Sequence, residues 1–272
     1  MLDIVQNGML EDMDLIPFEQ ETDKIALIDA DSALYYCMGE ATFEAAKIKL
    51  DMFMFNLLGI CETPHYAAFI TPHRTFRNDV GFTKPYKGNR SGKNTPPMFY
   101  GLKAYARDEW GFYEVEGLEA DDCVALYRSA NSVICSPDKD VILQVPGVHY
   151  NYFKNEWIDT SRADAWRFLW TQCAAGDSVD FIPGIPGIGM VKAGKALDEV
   201  SQEDYPLRIL QMYIELSGCK IKESVDKYKE ALDLVYILKE KVDTEKYGIT
   251  LPDLKKFDIR EVYTNGISTS SN

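Results

Sequence analysis

Short apolar runs that alternate with segments of helical composition constrain the fold of this chain more than any other feature. Runs of this length, bounded by polar residues, indicate buried strands. Strands that alternate with helices favour a mostly parallel central sheet flanked by helices on both faces. We therefore predict an α/β protein of that architecture. The predicted strands are 25–29, 66–70, 112–115, 133–135 and one near 148–153, and the predicted helices include 32–58, 97–109 and one from 119.

Acidic side chains cluster where these strands end and where helices begin. Because ligands of such sheets bind beyond the carboxyl ends of the strands, we expect the acids to converge on one edge. Helix capping explains one or two such acids. Four clusters are harder to explain in that way, since close carboxylates repel unless cations lie between them. The clusters are Asp29 with Asp31; Glu119, Asp121 and Asp122; Asp138 with Asp140; and Asp177 with Asp180.

Oxygen ligands without histidine or cysteine indicate Mg²⁺ or Mn²⁺ rather than zinc. The acids are more numerous than one ion needs, which favours two ions. Two ions about 3.5–4 Å apart can activate a water and stabilise the leaving oxygen in phosphodiester hydrolysis. The six cysteines are scattered and form no CxxC pair. They therefore predict reduced, largely buried thiols of a cytoplasmic protein.

The stretch 176–195 combines acids, glycines and lysines in an order that favours phosphate binding. Its two acids are followed by a Gly/Pro hairpin with Gly184, Gly187 and Gly189. Glycine lets backbone N–H groups approach a ligand closely, and a helix from about 190 would add free N–H groups. Two lysines, Lys192 and Lys195, close the stretch.

The net charge of −14 argues against a nucleic-acid partner, but the charges are unevenly distributed. Residues 11–23 contain six carboxylates and no base, whereas residues 74–107 contain eight bases and one acid. The Gly- and Pro-rich segment 72–97 is interpreted as a long, exposed, basic connection.

Together these motifs resemble those of the 5′ nuclease superfamily, which comprises flap endonucleases and the 5′→3′ exonucleases of phages and bacterial DNA polymerases. The resemblance extends from 25 to about 197 and is greatest for the phage exonucleases. Asp29 is similar to the family's first-strand aspartate, 119–122 to its E-x-D-D helix start, 138–140 to its D-x-D loop, and 177–180 to its G-D-x-x-D motif. The hairpin within 173–198 resembles its helix–three-turn–helix, which binds duplex phosphates and often a potassium ion. Tyr86-Lys87-Gly88-Asn89-Arg90 resembles the basic element of its helical arch.

The resemblance implies a structure-specific 5′→3′ exonuclease or flap endonuclease of DNA replication, acting by two-metal hydrolysis. Lys87 and Arg90 would contact the scissile phosphate, although a solvated basic loop would also explain them. Tyr35 would stack on an unpaired terminal base, unless it only packs in the core. The metal ligands implied are Asp29, Glu119, Asp121, Asp122, Asp138, Asp140, Asp177 and Asp180. The DNA contacts implied are Tyr35, Arg74, Arg77, Lys84, Tyr86, Gly184, Gly187, Gly189, Lys192 and Lys195.

The implied partner is duplex DNA with a 5′ end, a nick or a flap, and no membrane. The family also makes an RNA–DNA hybrid, a replication polymerase and a single-strand-binding protein plausible partners. A phage-encoded protein would work in the host cytoplasm. The chain divides into an acidic lead-in (1–23), a catalytic domain (24–200) and a helical C-terminal part (201–272) packed on the same domain.

One family position is missing, because Thr71 and Pro72 follow the second strand where an aspartate is usual. Either Asp31 or a water takes its role, or one metal position lacks a ligand. The segment 72–97 is also short for a full helical arch.

Three other functions remain open. A HAD-type phosphatase would use Asp29-Ala30-Asp31 as its D-x-D loop, but it leaves 119–122 and 184–189 unexplained. A DNA-binding protein that has lost catalysis is compatible with the missing aspartate. A PIN-type ribonuclease would be shorter and would lack the hairpin.

Overall fold

The structure is a computed structural model that describes residues 23–90, 96–254 and 257–258. The strands are β1 (Ile25–Asp29), β2 (His65–Phe69), β3 (Ser132–Cys135), β4 (Gly147–Asn151), β5 (Glu156–Thr160), β6 (Gly176–Asp177), β7 (Ile182–Pro183) and β8 (Phe257–Asp258). The helices are α1 (Asp31–Cys37), α2 (Phe43–Cys61), α3 (Arg77–Val80), α4 (Pro97–Trp110), α5 (Ala120–Leu126), α6 (Lys139–Gln144), α7 (Arg162–Ala175), α8 (Met190–Lys195), α9 (Tyr205–Leu216), α10 (Ile221–Val235) and α11 (Lys241–Glu245). Short 3-10 turns span Gly88–Arg90 and Gln202–Asp204.

Six strands form the central sheet in the order β5-β4-β3-β1-β2-β8. The four inner strands are parallel, whereas β5 and β8 pair antiparallel with their neighbours at the two edges. The predicted mostly parallel sheet is therefore confirmed. Because β1, β2 and β3 run in one direction, their carboxyl ends meet at one edge of the sheet.

Side chains of β1 alternate between two apolar cores. Ala26 and Ile28 pack with side chains of α1, α2 and α4 on one face. Ile25 and Leu27 pack with side chains of α5, α6 and the segment 237–238 on the other face. Successive side chains of a strand point to opposite faces, so a strand covered on both faces is apolar throughout. The helices thus flank the sheet on both sides, as predicted.

A third apolar cluster lies beside the sheet and supports the hairpin at 176–189. It joins α7, α9 and α10 with Ile182 and Ile185 of the hairpin. Strands β6 and β7 pair antiparallel at the base of this hairpin. The C-terminal helices α9 and α10 therefore pack against the same helix, α7, that leads into the acidic end of the hairpin.

The strand predicted at 112–115 is wrong. Only Tyr113 of this segment pairs with β2, through a single bridge to Phe69. The N–H of Tyr113 donates to Ala68 O, and its carbonyl accepts from Ile70 N. Because only one residue makes these two hydrogen bonds, no ladder forms and the segment does not add a strand to the sheet.

Side-chain caps shift two other predicted elements. The helical segment predicted at 32–58 is divided into α1 and α2, because the Thr42 side chain accepts the Ala45 N–H and starts a new helix. The D-x-D segment 138–140 already contains the start of α6, because the Asp138 side chain accepts the Asp140 N–H and caps that helix.

The predicted acidic lead-in lies outside the described residues except for Asp23. None of the helices in the described ranges has the length and apolar character that a membrane crossing requires.

Candidate active site

A cavity of about 1000 Å³ opens at the edge where the carboxyl ends of β1, β2 and β3 meet. The fold brings seven of the eight predicted metal ligands to its wall, and Asp31 joins them. The convergence follows from topology, since three parallel strands end at this edge and the helix starts and the hairpin lie beside it. The acids in the wall are Asp29, Asp31, Glu119, Asp121, Asp138, Asp140, Asp177 and Asp180, together with Glu114, which pairs with Lys103 and Arg107.

Asp29 is buried at the end of β1. The Ser136 hydroxyl donates to Asp29 Oδ2 at 2.8 Å, and the Tyr152 hydroxyl donates to the Asp29 carbonyl at 2.8 Å. Burial, and then the charge of Asp31, raise the pKa of Asp29 to about 7. Ser136 is not among the site residues predicted from sequence, although its position directly after β3 places it at the same sheet edge as Asp29.

Asp31 lies beside the strand end that lacks an acid. Its Oδ1 accepts the Thr71 N–H at 3.0 Å, while Thr71 Oγ1 accepts the Ala120 N–H at 3.0 Å. Thr71 thus joins the end of β2 to the N-termini of α1 and α5. Burial raises the pKa of Asp31, the Thr71 contacts lower it in part, and the charge of Glu119 adds to the rise.

Asp122 is the exception among the predicted ligands, because both of its oxygens face away from the cavity. Arg77 donates to Oδ2 at 2.6 Å and to Oδ1 at 2.8 Å, and the Leu238 N–H donates to Oδ1 at 2.9 Å. The assignment of Asp122 as a metal ligand is therefore wrong. Arg77 is only 1% exposed, so the predicted DNA contact at Arg77 is wrong for the same reason.

Glu119 is held by two residues of the basic segment. The Tyr86 hydroxyl donates to Oε2 at 2.9 Å, and Lys87 Nζ donates to Oε1 at 2.9 Å. Burial acts to raise the pKa of Glu119, but the charges of Lys87 and Arg77 outweigh it and leave the pKa below its usual value. The Tyr86 ring is buried, so its predicted contact with DNA is replaced by this contact with Glu119.

Lys87 and Arg90 lie at the mouth of the cavity, where the Gly88–Arg90 turn packs on the hairpin. Lys87 has φ of 52°, and its N–H donates to Asp180 O at 3.0 Å. Arg90 Nη2 donates to Asp180 Oδ1 at 2.6 Å, and Asn89 Nδ2 donates to Val179 O at 3.0 Å. Both side chains pair with acids of the cavity: Lys87 is partly buried there, whereas Arg90 is half exposed.

A second lysine lies between acids on the opposite side. Lys139 Nζ is 3.1 Å from Asp140 Oδ1 and 3.3 Å from Asp177 Oδ2. Burial, together with the charge of Asp138, raises the pKa of Asp140 to about 6. For Asp177, burial is outweighed by Lys139 and by the Val179 and Asp180 N–H groups, so its pKa is lowered. Lys139 is not among the residues predicted from sequence, although it lies between the two acids of the D-x-D motif.

The side chains of the cavity that could bind a metal suit a hard divalent cation, because they all offer carboxylate oxygens. Among the described residues, no three acidic, histidine or cysteine side chains yet form a group that could hold an ion. The ammonium groups of Lys87 and Lys139 instead lie between pairs of acids. Burial first, and then the charge of a neighbouring aspartate, still raises the pKa of Asp29 and of Asp140. The set therefore fits divalent cations once the two lysines have moved.

The hairpin glycines differ in what they face. A Cβ at Gly184 would lie 2.2 Å from the Ala175 carbonyl carbon, so glycine is required there for packing and not for contact with a ligand. At Gly187 and Gly189, a Cβ would meet nothing within 4 Å. The Gly187 carbonyl accepts from Lys192 Nζ at 2.9 Å. The open part of the hairpin is thus 187–195, which includes the exposed Lys195.

Tyr35 and Phe99 belong to the wall of the cavity, whereas Arg74 and Lys84 do not line it. Tyr35 is 52% exposed and stacks on Phe99 with ring centroids 4.7 Å apart, which excludes simple core packing. Arg74 is exposed and pairs with Asp79, and Lys84 lies over the Phe181 ring at 4.6 Å. All three predicted contact residues (Tyr35, Arg74 and Lys84) are therefore accessible at the surface.

DNA polymerase I from two bacteria is similar in sequence to part of this chain. The Rhizobium leguminosarum enzyme is 34% identical over 183 residues, which are 60% of this chain and 17% of that protein. The Bacillus subtilis (strain 168) enzyme is 30% identical over 186 residues, 60% of this chain and 20% of that protein. The chain therefore spans about a fifth of the length of these relatives. No family model matches the chain.

Solved phage structures share the fold. The T5 D15 protein co-crystallised with metal ions has a TM-score of 0.59 at 16% identity, covering 80% of this chain and 89% of that one. The bacteriophage T5 D15 flap endonuclease, in a pseudo-enzyme–product complex with DNA and metal ions, has a TM-score of 0.60 at 18% identity with the same coverage. The T5 5′-exonuclease with bound zinc has a TM-score of 0.57 at 17% identity, covering 79% and 89%. The fold expected from the 5′ nuclease resemblance is thus confirmed.

Proposed function

We propose that this chain, which has the fold of the phage 5′ nucleases, is a metal-dependent, structure-specific nuclease that cleaves DNA near a 5′ end. The observation that carries the proposal is the single cavity in which seven predicted acids face Lys87 and Arg90, next to an open hairpin. A binding module would have no use for so many acids, because they repel phosphates.

Divalent cations, Mg²⁺ or Mn²⁺, would be held by acids of the cavity. The candidate ligands are Asp29, Asp31, Glu119, Asp121, Asp138, Asp140, Asp177 and Asp180. When bound, such ions would make a water more acidic and stabilise charge on the departing oxygen. We propose two ions, because eight carboxylates exceed what one ion requires.

Lys87 and Arg90 would bind the non-bridging oxygens of the scissile phosphate. Both donors lie at the cavity mouth and would exchange their carboxylate partners for phosphate. Positive charge held at this position stabilises the charge that spreads over the phosphoryl oxygens in the transition state. The water oxygen bonds to phosphorus as the P–O3′ bond breaks, which leaves a 3′-hydroxyl and a 5′-phosphate.

The hairpin would bind the duplex through its phosphates. Backbone N–H groups near Gly187 and Gly189, with Lys192 and Lys195, can bind phosphate without reading bases. This would give preference for a DNA structure and not for a sequence. A potassium ion at the hairpin is part of the proposal, since the Gly187 carbonyl already faces the Lys192 ammonium. Tyr35 would stack on an unpaired base at the wall of the cavity.

The substrate would be duplex DNA with a 5′ end, a nick or a flap, and an RNA–DNA hybrid would fit the same grip on the backbone. A replication polymerase or a single-strand-binding protein would be a partner in this role. The fold shared with the T5 structures supports the phage branch, and with it the cytoplasm of a host cell.

One experiment tests the activity directly. The protein is incubated with Mg²⁺ and 5′-labelled flap, nicked and blunt duplexes, with and without RNA at the 5′ end, and the products are sized. We expect short 5′-phosphorylated products from the flap or nicked duplex. Turnover of a generic aryl phosphate, with none of the labelled DNA, would instead support the phosphatase.

A DNA-binding protein without catalysis is the second candidate, and one observation favours it. Lys87 and Lys139 already neutralise pairs of acids, and no three-acid group is formed among the described residues. Binding of the flap or nicked duplex without any cleavage in Mg²⁺ or Mn²⁺ would establish this function instead.

A further inference from the structure

A buried carboxylate on the C-terminal helix α10 binds the turn that precedes Lys87. Glu230 is 3% exposed, and its Oε1 accepts the N–H groups of Phe82 and Thr83, each at 2.6 Å. Its Oε2 accepts the Thr83 hydroxyl. Three donors from one turn therefore converge on one side chain, which lies 147 residues later in the sequence. Hydrogen bonds to an ionised acceptor are among the stronger ones in proteins.

The turn has little freedom to rearrange. A Cβ at Gly81 would lie 2.8 Å from Lys84 O and 3.3 Å from Tyr86 N. The chain is thus folded tightly onto itself between Gly81 and Tyr86. A displacement at Phe82 or Thr83 would therefore be passed on to Tyr86.

The residues that follow the turn are those that contact the acids. Tyr86 and Lys87 both donate to Glu119, and the Lys87 N–H donates to Asp180 O. A non-glycine residue with positive φ, such as Lys87 at 52°, needs support from its surroundings. Asp180 supplies that support on one side of Lys87, and the turn bound by Glu230 supplies it on the other.

The end of α10 and the residues that follow it also bind Arg77, near the start of the basic segment 72–97. Arg77 Nε donates to Leu234 O at 3.1 Å, and Arg77 Nη2 donates to Tyr236 O at 2.8 Å. Both ends of the segment 77–83 are therefore tied to α10 and the residues that follow it.

We propose that Glu230 is a positioning residue for cleavage: through the turn at 81–84 it sets Tyr86 and Lys87 over Glu119. The inference deepens the proposed function and rests on it. Glu230 does not line the cavity and touches neither the acids nor the substrate. The C-terminal helix thereby takes part in building the site.

Glu230→Ala removes all three acceptor contacts and leaves buried N–H groups without partners. We expect kcat on a nicked duplex to fall by about tenfold or more, because small displacements of catalytic groups have large effects on rate. KM should change little, since the hairpin at 187–195 is untouched. Glu230→Gln keeps an oxygen for both N–H groups and an amide for the hydroxyl, so it should restore most of the rate.

Three comparisons separate positioning from general damage. Glu223→Ala, on the exposed side of the same helix, should leave kcat unchanged. Thr83→Val removes only the hydroxyl donor of the three and should lower kcat by an intermediate amount. This variant tests the inference even if Glu230→Ala does not fold. In the Lys87→Ala background, Glu230→Ala should lower kcat no further, because residues that act through one another are not additive.

Amide hydrogen exchange of the free protein tests the inference independently of cleavage. Glu230→Ala should speed exchange at the amides of 82–87 and leave β1 unchanged, whereas Glu223→Ala should affect neither. Unchanged exchange at 82–87, or additive losses of kcat in the Lys87→Ala background, would overturn the positioning role. If the wild type did not cleave DNA, the proposed function would be contradicted. The positioning of 82–87 by Glu230 would not be, because amide exchange is measured without substrate.

Discussion

Asp31 is the residue on which the composition of the candidate metal site depends most. It was one of two candidates to replace the acid missing after the second strand, and the structure holds its Oδ1 3.0 Å from the Thr71 N at that strand end. Sequence alone left water as an alternative, because only the fold shows that α1 begins beside the end of β2.

We expect Asp31→Asn to weaken Mn²⁺ binding by roughly tenfold, since ligand-set changes commonly cost that much. Calorimetric titration of the free protein measures it. Asp79→Asn, which alters an exposed acid paired with Arg74, is the matched control. Adding Thr71→Asp to Asp31→Asn should restore affinity, because it returns an acid to the end of β2. Equal Mn²⁺ affinity in Asp31→Asn and wild type would exclude Asp31 as a ligand.

Arg77 shows why sequence alone could not separate the structural bases of the segment 72–97 from those exposed to a ligand. It stands in the same run of bases as Arg74, but its guanidinium pairs with Asp122 and with carbonyls 157 and 159 residues away. No local pattern records such distant partners. The same contacts explain why Asp122, though part of the E-x-D-D motif, faces away from its acidic neighbours.

Replacing Arg77 with methionine should lower the free energy of unfolding by about 3–5 kcal/mol, because Asp122 would become a buried charge without a partner. Urea denaturation measures the change. Arg74→Met, at an exposed ion pair, should stay within about 0.5 kcal/mol of wild type. Similar small losses for both variants would contradict the structural role of Arg77.

At the scale of elements, the glycines of the hairpin have two roles: Gly184 is needed for folding, whereas Gly187 and Gly189 are open to a ligand. Gly184→Ala should destabilise the protein, because its Cβ would overlap the Ala175 backbone. Gly189→Ala should leave the melting temperature unchanged, since its Cβ meets nothing within 4 Å, yet weaken duplex binding by crowding a phosphate. Melting curves and fluorescence anisotropy with a duplex measure the two effects. Unchanged duplex binding by Gly189→Ala would remove this part of the hairpin from the DNA interface.

The strands and their terminal acids were predictable because buried parallel strands are apolar throughout and end at the site. Asp29, Asp138 and Asp140 were found in this way. The segment 112–115 forms only one bridge to β2, and it contains a charged residue, Glu114, that pairs with Lys103 and Arg107 of α4. Strand β5 was missed, since its exposed edge position gives it a mixed composition.

For the whole molecule, the acids of the cavity make stability depend on pH. Asp29 and Asp140, with pKa values raised to about 7 and about 6, keep protons in the folded state that the unfolded chain has lost. Between about pH 4 and pH 7 the folded state therefore binds more protons, so the free energy of unfolding falls as pH rises. Glu119 and Asp177 have lowered pKa values and act in the opposite sense only near and below about pH 4.5.

We expect the melting temperature in a chelator to fall between about pH 5 and pH 7.5, and Mg²⁺ to raise it more at the higher pH, where the acids are free of protons. Thermal melts with and without Mg²⁺ at several pH values measure both trends. A Mg²⁺ effect that did not change with pH would contradict binding at these acids.

Cleavage and binding of one substrate by Asp177→Asn test the central claim most directly. Asp177 lies in the cavity wall, whereas Asp159 is exposed on β5, so Asp159→Asn is a matched control. With a 5′-labelled nicked duplex in Mg²⁺, we predict that Asp177→Asn loses cleavage but binds the duplex nearly as wild type does. Asp159→Asn should do both as wild type does. Cleavage by Asp177→Asn at the wild-type rate would contradict the assignment of this cavity as the metal-dependent active site.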